Sequence, residues 1–140
     1  MSPLTSPARL SQLMAGPGSQ SHPVVLDVRH RVGGPPTEPD YRAGHLPGAV
    51  FVDLDRVLAG PPGSAGRHPL PDPAALADWF GAAGVVDGTS DAAPTTVVCY
   101  DDTDGSMAAR AWWLLRWLGL PAERVAVLDG GYRGWVAAGL

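Results

Sequence analysis

The sequence predicts an α/β fold, in which a mostly parallel β-sheet is covered by helices on both faces. Short apolar segments typical of strands alternate along the chain with segments of helical character. The strand segments are apolar on both faces, as they are in sheets that helices cover on both sides. The 18 glycines and 15 prolines fall in clusters between these segments, where they mark loops.

Length and composition are those of one domain. A chain of 140 residues that is 45% hydrophobic can bury a core without disulfides or structural metal. The net charge of −4 and the absence of adjacent Lys or Arg residues argue against nucleic acid as a partner. A single cysteine, Cys99, suits a reducing compartment. No segment has the length of a signal peptide or a membrane span, so we expect a cytoplasmic protein without a membrane partner.

The first elements are a short helix and two strands. Residues 1–22 are expected to form an N-terminal segment with a helix, because Ser6 is a suitable N-cap and Pro7 suits the first helical position. The apolar segments at 23–28 and 48–54 predict buried strands.

The remaining elements complete a single domain, expected to span residues 23–140. Asp72 is a suitable N-cap for a helix that Pro73 opens and that ends at Gly84. After it the sequence predicts a strand at 95–100, a helix at 106–119, a strand at 124–131 and a final helix at 132–139.

Ligands of such folds bind beyond the carboxyl ends of the strands. The polar residues expected at that edge are Asp27, Arg29, Asp53, Asp55, Asp101 to Gly105, and Asp129 to Gly131.

Acid–base pairs and histidines near this edge have structural and functional interpretations. Asp27 and Arg29 share one face of their strand, where an ion pair is the structural interpretation. His45 lies in a turn formed by Gly44, Pro47 and Gly48, where the two glycines permit positive φ and the histidine is expected to bond to backbone.

A proline-rich loop carries a second histidine, His68. If the loop folds over the carboxyl edge, His68 can approach Asp55, and a carboxylate beside an imidazole fixes its tautomer and raises its basicity. The alternative is a surface histidine in a polar loop.

The loop after the 95–100 strand is where an anionic nucleophile would be stabilised by backbone amides and a helix N-terminus. Its first residue is Asp101, not cysteine. Cys99 lies two residues earlier, inside the strand, and is expected to be buried and inert.

Three aspartates in this loop raise the possibility of a cation site. The calcium-loop register fails, because Tyr100 falls at the first ligand position and Ala111 at the position of the bidentate glutamate. Asp101 is therefore expected to accept hydrogen bonds from loop amides and Asp104 to cap the following helix. No metal site is predicted there.

The helix after this loop is rich in tryptophan. Residues 108, 111, 112 and 115 form a face for the domain core, whereas Trp113 and Trp117 form a neighbouring stripe. Core packing is one interpretation of this stripe, and contact with another domain is the other.

Six motifs, in this order and spacing, resemble the rhodanese family, and more closely the N-terminal domain of its two-domain sulfurtransferases. The resemblance covers about residues 5–140. The motifs are "LDVR" (26–29), "YRAGHLPGAVFVDLD" (41–55), "HPLP" (68–71), "VVCYDD" (97–102), "AARAWWLLR" (108–116) and "VLDGGYRGW" (127–135). Their signature positions are Asp27, Arg29, Gly44, His45, Pro47, Gly48, Gly130 and Gly131.

The resemblance implies a rhodanese-like fold with about five strands. It also implies that the chain is the N-terminal half of a two-domain enzyme. Such enzymes move sulfane sulfur from thiosulfate or 3-mercaptopyruvate to a thiophilic acceptor, such as cyanide or a thiol, through a cysteine persulfide and without a cofactor. Asp101 matches the nucleophile position of an active domain, so the loop of Asp101, Asp102, Thr103, Asp104, Gly105 and Ser106 is expected to be degenerate. The working cysteine, and the site of the small anionic donor, are then expected in a C-terminal rhodanese domain that this chain lacks.

Two further expectations concern activity. The resemblance implies that Asp55 and His68 belong to a relay that assists a serine beside the catalytic cysteine across the interdomain cleft. This chain alone is expected to be inactive. The alternative function is a non-catalytic binding module that docks a protein through the tryptophan-rich face and the acidic loop. A phosphatase related by fold is excluded, because that chemistry needs a cysteine followed by five residues and an arginine. Counting from Cys99, the position of the arginine is Gly105.

Overall fold

A five-stranded parallel sheet forms the centre of the molecule, in a computed structural model that describes residues 2–17, 22–87 and 94–140. The strands are β1 (Leu4–Thr5), β2 (Val24–Asp27), β3 (Val50–Phe51), β4 (Val97–Tyr100) and β5 (Val125–Leu128). The helices are α1 (Pro7–Met14), α2 (Glu38–Ala43), α3 (Leu54–Val57), α4 (Pro73–Ala82), α5 (Ser106–Trp117) and α6 (Gly131–Ala137), with a 3₁₀ turn at Ala122–Arg124. The strand order is β1-β5-β4-β2-β3, and every pairing is parallel. The predicted fold class is confirmed.

Apolar side chains pack on both faces of this sheet. In β4, Val97 and Cys99 face a core shared with α4 and α5, whereas Val98 and Tyr100 face a second core shared with α1 and α6. This alternation is the period of two that a strand imposes. Both faces of β4 are fully buried, which explains why its sequence is apolar without interruption.

Two helices begin where the sequence predicts. The Ser6 side chain accepts a hydrogen bond from the Arg9 N–H at 3.1 Å, and Pro7 is the first residue of α1. Asp72 accepts from the Ala75 N–H at 2.9 Å at the start of α4. These contacts satisfy N–H groups that have no partner inside their own helix.

Several elements differ from the prediction. The strand expected at 48–54 is shorter in the structure, where β3 contains only Val50 and Phe51. It cannot extend to residue 54, because Asp53 accepts a hydrogen bond from the Arg56 N–H and caps the short helix α3. Helix α2 was not predicted; within it, Glu38 and Arg42 form an ion pair one turn apart. Strand β1 was also not predicted, and its two residues pair with the edge of β5.

The ends of some predicted features also need comment. Helix α4 ends at Ala82, two residues before Gly84. The Gly- and Pro-rich clusters at 16–23 and 87–94 lie partly outside the described residues. Within the described part of the chain, no helix combines the length and apolarity needed to cross a membrane.

Candidate functional site

The carboxyl ends of β2, β3, β4 and β5 bring the candidate site residues to one edge of the sheet. Asp27 ends β2, Asp53 and Asp55 follow β3, the 101–106 loop follows β4, and Asp129 follows β5. Because all five strands are parallel, these ends lie on the same side of the molecule.

The Asp101 carboxylate is held by the amides of its own loop. Its Oδ1 accepts hydrogen bonds from the Thr103 and Gly105 N–H groups at 3.0 and 3.1 Å. Its Oδ2 accepts from the Met107 and Ala108 N–H groups at 3.1 and 3.0 Å, in the first turn of α5. The side chain is almost completely buried. The loop therefore binds an anion as its backbone geometry predicts, and that anion is the loop's own first side chain.

The other two aspartates of the loop have separate partners. Both Asp102 oxygens accept from the Arg31 guanidinium, at 2.8 and 2.6 Å, and this hydrogen bonding lowers the pKa of Asp102. Asp104 accepts from the Ser106 N–H and hydroxyl, which lowers its pKa. The expected N-cap role of Asp104 needs correction, because Gly105 is the N-cap residue of α5 and Asp104 precedes it.

Cys99 lies in β4 with no exposed surface. Burial raises the pKa of its thiol to about 12, so the thiolate form is rare near neutral pH. The cysteine is therefore buried and poorly nucleophilic, as its position in the strand predicts.

Asp27 forms the centre of a buried hydrogen-bond network. Its carboxylate accepts from the Arg29 guanidinium at 2.8 Å and from the Tyr100 hydroxyl at 2.6 Å. Arg29 also donates to the Gly44 carbonyl at 2.6 Å and lies over the Tyr132 ring, 4.5 Å from its centroid. Burial and the Asp27 carboxylate raise the pKa of Tyr100. These contacts tie β2, β4 and α6 together, and they favour the structural interpretation of the Asp27–Arg29 pair.

His45 contacts backbone, as expected. Its Nδ1–H donates to the Tyr41 carbonyl at 2.8 Å, and its ring stacks on Tyr41 with centroids 4.1 Å apart. Pro47 and Gly48, with Gly48 at φ +72°, form a turn that the Ala49 N–H closes onto the Leu46 carbonyl.

Gly44 differs from the expectation of positive φ. Its φ is 178°, an extended conformation that any residue adopts. A Cβ at this position would instead lie 2.8 Å from the Tyr132 hydroxyl oxygen, so the close approach of Tyr132 is what favours glycine here.

Gly130 and Gly131 connect β5 to α6. Both have positive φ, at +78° and +57°. A Cβ on Gly131 would collide with the Asp101 carbonyl oxygen, which accepts a hydrogen bond from the Tyr132 N–H at 2.8 Å. This glycine therefore allows the β5–α6 turn to contact the 101–106 loop.

The structure brings Asp55 and His68 together. His68 Nε2–H donates to Asp55 Oδ1 at 2.9 Å, which is the first of the two alternatives that the sequence left open for this histidine. The Arg110 guanidinium, on α5, holds the loop by donating to the carbonyls of Leu58, His68 and Pro69 at 2.9, 3.0 and 3.2 Å.

His30 is a neighbour of this pair that the sequence did not single out. Its Nε2 lies 3.9 Å from Asp55 Oδ1, and its ring centroid lies 5.8 Å from that of His68. The signal for it was its position directly after the "LDVR" motif, at the carboxyl edge of the sheet. His30 and Asp55 line two adjoining clefts of about 280 and 370 Å³.

Comparison with known proteins gives a consistent result. Residues 6–138 match the model of the family described as "Rhodanese-like domain". The chain belongs to the rhodanese-like family. Its sequence is 45% identical, over 133 residues, to the "Probable 3-mercaptopyruvate sulfurtransferase" of Pseudomonas aeruginosa, covering 93% of this chain and 44% of that protein.

Other rhodanese-like proteins show the same partial coverage. The identity is 36% over 100 residues with "Thiosulfate/3-mercaptopyruvate sulfurtransferase 2" of Arabidopsis thaliana, covering 71% of this chain and 26% of that protein. The structure of 3-mercaptopyruvate sulfurtransferase from Leishmania major superposes with a TM-score of 0.74 at 28% identity, covering 98% of this chain and 34% of that one. This rhodanese-like chain thus spans less than half the length of these relatives.

The face of α5 that points away from the rhodanese-like core carries two tryptophans. Trp113 and Trp117 are 48% and 40% exposed, and their rings stack with centroids 6.1 Å apart. Ala108, Ala111 and Leu115 are buried on the core side, as predicted, and Trp112 is half-buried. The stripe is therefore not part of the core of this domain.

Proposed function

We propose that this chain is the N-terminal half of a tandem rhodanese-type sulfurtransferase and that it is inactive alone. The whole enzyme would move sulfane sulfur from thiosulfate or 3-mercaptopyruvate to a thiophilic acceptor, such as cyanide or a thiol. The observation that carries the proposal is the Asp101 carboxylate, which occupies the amide-lined loop where the family resemblance implies a nucleophilic cysteine.

A C-terminal rhodanese domain would supply the cysteine that carries the persulfide, with no metal or organic cofactor in the reaction. The length of the relatives supports this proposal, since the chain covers 44% of the Pseudomonas protein. The 101–106 loop itself is unsuited to an anionic sulfur donor, because three aspartates line it. A reducing compartment such as the cytoplasm suits this chemistry.

The Asp55–His68 pair would serve a proton relay across the cleft to that domain. With Nε2–H donated to Asp55, the Nδ1 of His68 is the ring nitrogen left to exchange a proton. The carboxylate orients the imidazole by accepting its Nε2–H, which is the arrangement that general acid–base chemistry needs. Arg110 would position the relay by holding the loop that carries His68.

A chimera tests this proposal. The matching N-terminal part of the Pseudomonas relative is replaced by this chain, and sulfur transfer from 3-mercaptopyruvate to cyanide is measured. We expect an active chimera, and we expect His68→Gln to lower kcat about tenfold or more and to change its pH profile. His45→Gln is the matched control, since His45 is an exposed histidine outside the pair. A chimera whose kcat is the same with and without His68→Gln would contradict the relay.

A stand-alone binding module is the second candidate function. The exposed, stacked Trp113–Trp117 pair favours it, because surface tryptophans of this kind are typical of docking faces. The chimera separates the two candidates. An inactive chimera that folds would favour the binding module.

A further inference from the structure

Three side chains at the carboxyl edge of the sheet bring two imidazoles and one carboxylate together. In this cluster of His30, Asp55 and His68, one potential ligand atom from each residue lies within 4.8 Å of the others. The distance from His68 Nε2 to Asp55 Oδ1 is 2.9 Å, and that from His30 Nε2 to the same oxygen is 3.9 Å. Among the residues that the structure describes, it is the one group of three such side chains that meets this criterion.

The cluster is assembled by three separate elements. His30 follows β2, and Asp55 lies in the first turn of α3. His68 lies in the proline-rich loop, which Arg110 anchors by donating a hydrogen bond to the His68 carbonyl. The side chains of His30 and His68 are 13% and 24% exposed, whereas that of Asp55 is 63% exposed. Packing therefore holds the two imidazoles in place, while the carboxylate side stays open to the solvent.

Two imidazole nitrogens and one carboxylate oxygen form a donor set that zinc uses in proteins, with a fourth position left for water or a small ligand. At metal–ligand distances of about 2.0–2.1 Å, tetrahedral ligands lie about 3.3 Å apart. The separations of 2.9 and 3.9 Å lie on either side of that value, and every pair of ligand atoms in the cluster lies within 4.8 Å. Closing the set on an ion therefore requires the wider pairs to move together by up to about 1.5 Å.

Charges around the cluster permit a cation. Of the three arginines that line the two clefts, Arg29 and Arg31 are each paired with an aspartate, Asp27 and Asp102 respectively. The third, Arg67, is exposed, so solvent screens its charge. We propose that the His30–Asp55–His68 cluster binds a divalent transition-metal ion of the zinc class. This site is separate from the acidic 101–106 loop, for which no metal is predicted, and it goes beyond the proposed sulfur-transfer function. A bound ion would replace the His68–Asp55 hydrogen bond, with the His68 proton moving from Nε2 to Nδ1 by exchange with solvent so that the Nε2 lone pair can bind the metal. Both residues would then be withdrawn from the relay.

Metal binding by the tag-free 140-residue chain tests the proposal directly. Co²⁺ is titrated as a spectroscopic probe and displaced with Zn²⁺, and calorimetry gives the stoichiometry of Zn²⁺ binding. We expect one ion per chain and the visible absorption of a four-coordinate Co²⁺ site. His30→Phe keeps the ring volume but removes a ligand, and we expect it to weaken Zn²⁺ binding about 100-fold. His45→Gln, at a histidine outside the cluster, is expected to bind as the unmodified chain does.

A second variant keeps the test decisive if His30→Phe does not fold. Asp55→Asn changes an exposed side chain and is also expected to weaken binding about 100-fold, with an unchanged circular dichroism spectrum. No Zn²⁺ binding up to millimolar concentration, or binding that both folded variants retain, would overturn the proposal. The readout is binding rather than turnover, so the result is independent of whether the sulfurtransferase proposal holds.

Discussion

At the scale of single residues, the Asp101 carboxylate fills the anion-binding position of the loop after β4. The sequence predicted that its carboxylate would accept hydrogen bonds from loop amides. It could not predict that four N–H groups would converge on it, because the folding of the loop and the position of α5 determine that arrangement. An anion is thus built into the site, where it satisfies two otherwise unpartnered amides of the helix N-terminus.

Replacement of Asp101 by asparagine tests this arrangement. The amide oxygen of Asn can serve two of the four N–H donors, but its NH₂ group then faces the other two. Two N–H groups that lose their acceptor in this partly buried loop cost about 2 kcal/mol in the free energy of unfolding. Chemical denaturation measures the loss. Asp104→Asn, in the exposed part of the same loop, is the control and is expected to cost less. An equal effect of the two variants would contradict the account.

At the scale of elements, the sequence predicted those features that depend on residues close together in the chain. The capped starts of α1 and α4 are confirmed, because Ser6 and Asp72 act on amides three residues away. Strand β1 was missed, because two residues give no periodicity and the strand exists only through its pairing with β5. Helix α2 was missed because the prolines and glycines around it indicate a loop.

In the candidate site too, contacts that depend on local sequence could be foreseen, whereas those that depend on the folding of distant segments could not. The stiffness of the loop and acid–base chemistry suggested a contact between His68 and Asp55 as one of two alternatives, and the structure contains that contact. The third member, His30, was missed although it follows the "LDVR" motif, because its approach to Asp55 depends on the pairing of β2 with β3, which the sequence does not show. The anchoring role of Arg110 was also not visible in the sequence, since its three carbonyl partners lie 41 to 52 residues away.

Arg110 provides a prediction about the loop between α3 and α4. Arg110→Met keeps much of the aliphatic volume but leaves three carbonyls without their charged donor. We expect a loss of about 2 kcal/mol or more in the free energy of unfolding, together with faster amide hydrogen exchange in the loop around His68. Arg116→Met, on the same helix, removes a contact to Leu120 and is the matched control. Exchange near His68 that is no faster in Arg110→Met than in this control would refute the anchoring role.

The Arg31–Asp102 ion pair gives a pH-dependent prediction. The pKa of Asp102 is lowered by Arg31, so the pair stabilises the folded state fully above the ordinary aspartate value of 3.8 and loses that contribution as the pH falls through the folded-state pKa. We expect Arg31→Met to reduce the free energy of unfolding near pH 6 and to have a smaller effect near pH 3.

The measurement is urea denaturation of both chains across this pH range. Arg9→Met, which removes an exposed arginine from α1, is the control and is expected to show no such pH-dependent difference. A destabilisation by Arg31→Met that is the same at both pH values would mean that the charge of Asp102 is not what the arginine stabilises.

At the scale of the whole molecule, the chain has a rhodanese-like fold, and its one cysteine is buried. The sheet, both cores and the edge that carries the site residues are present. The exposed Trp113–Trp117 pair, on the outer face of α5, forms an apolar surface that is not part of the domain core. Under the proposed function, a C-terminal domain would complete the site with its cysteine.

The most direct test of this account is sulfur loading of the chain itself. The 140-residue protein is incubated with thiosulfate or 3-mercaptopyruvate, its intact mass is measured, and cyanide is then added to detect thiocyanate. Cys99→Ala is the control, because Cys99 is the only thiol in the chain. The account predicts an unchanged mass and no thiocyanate above the level of the control. One added sulfur atom and thiocyanate formation, both lost in Cys99→Ala, would show that the buried cysteine is a working nucleophile and would contradict the account.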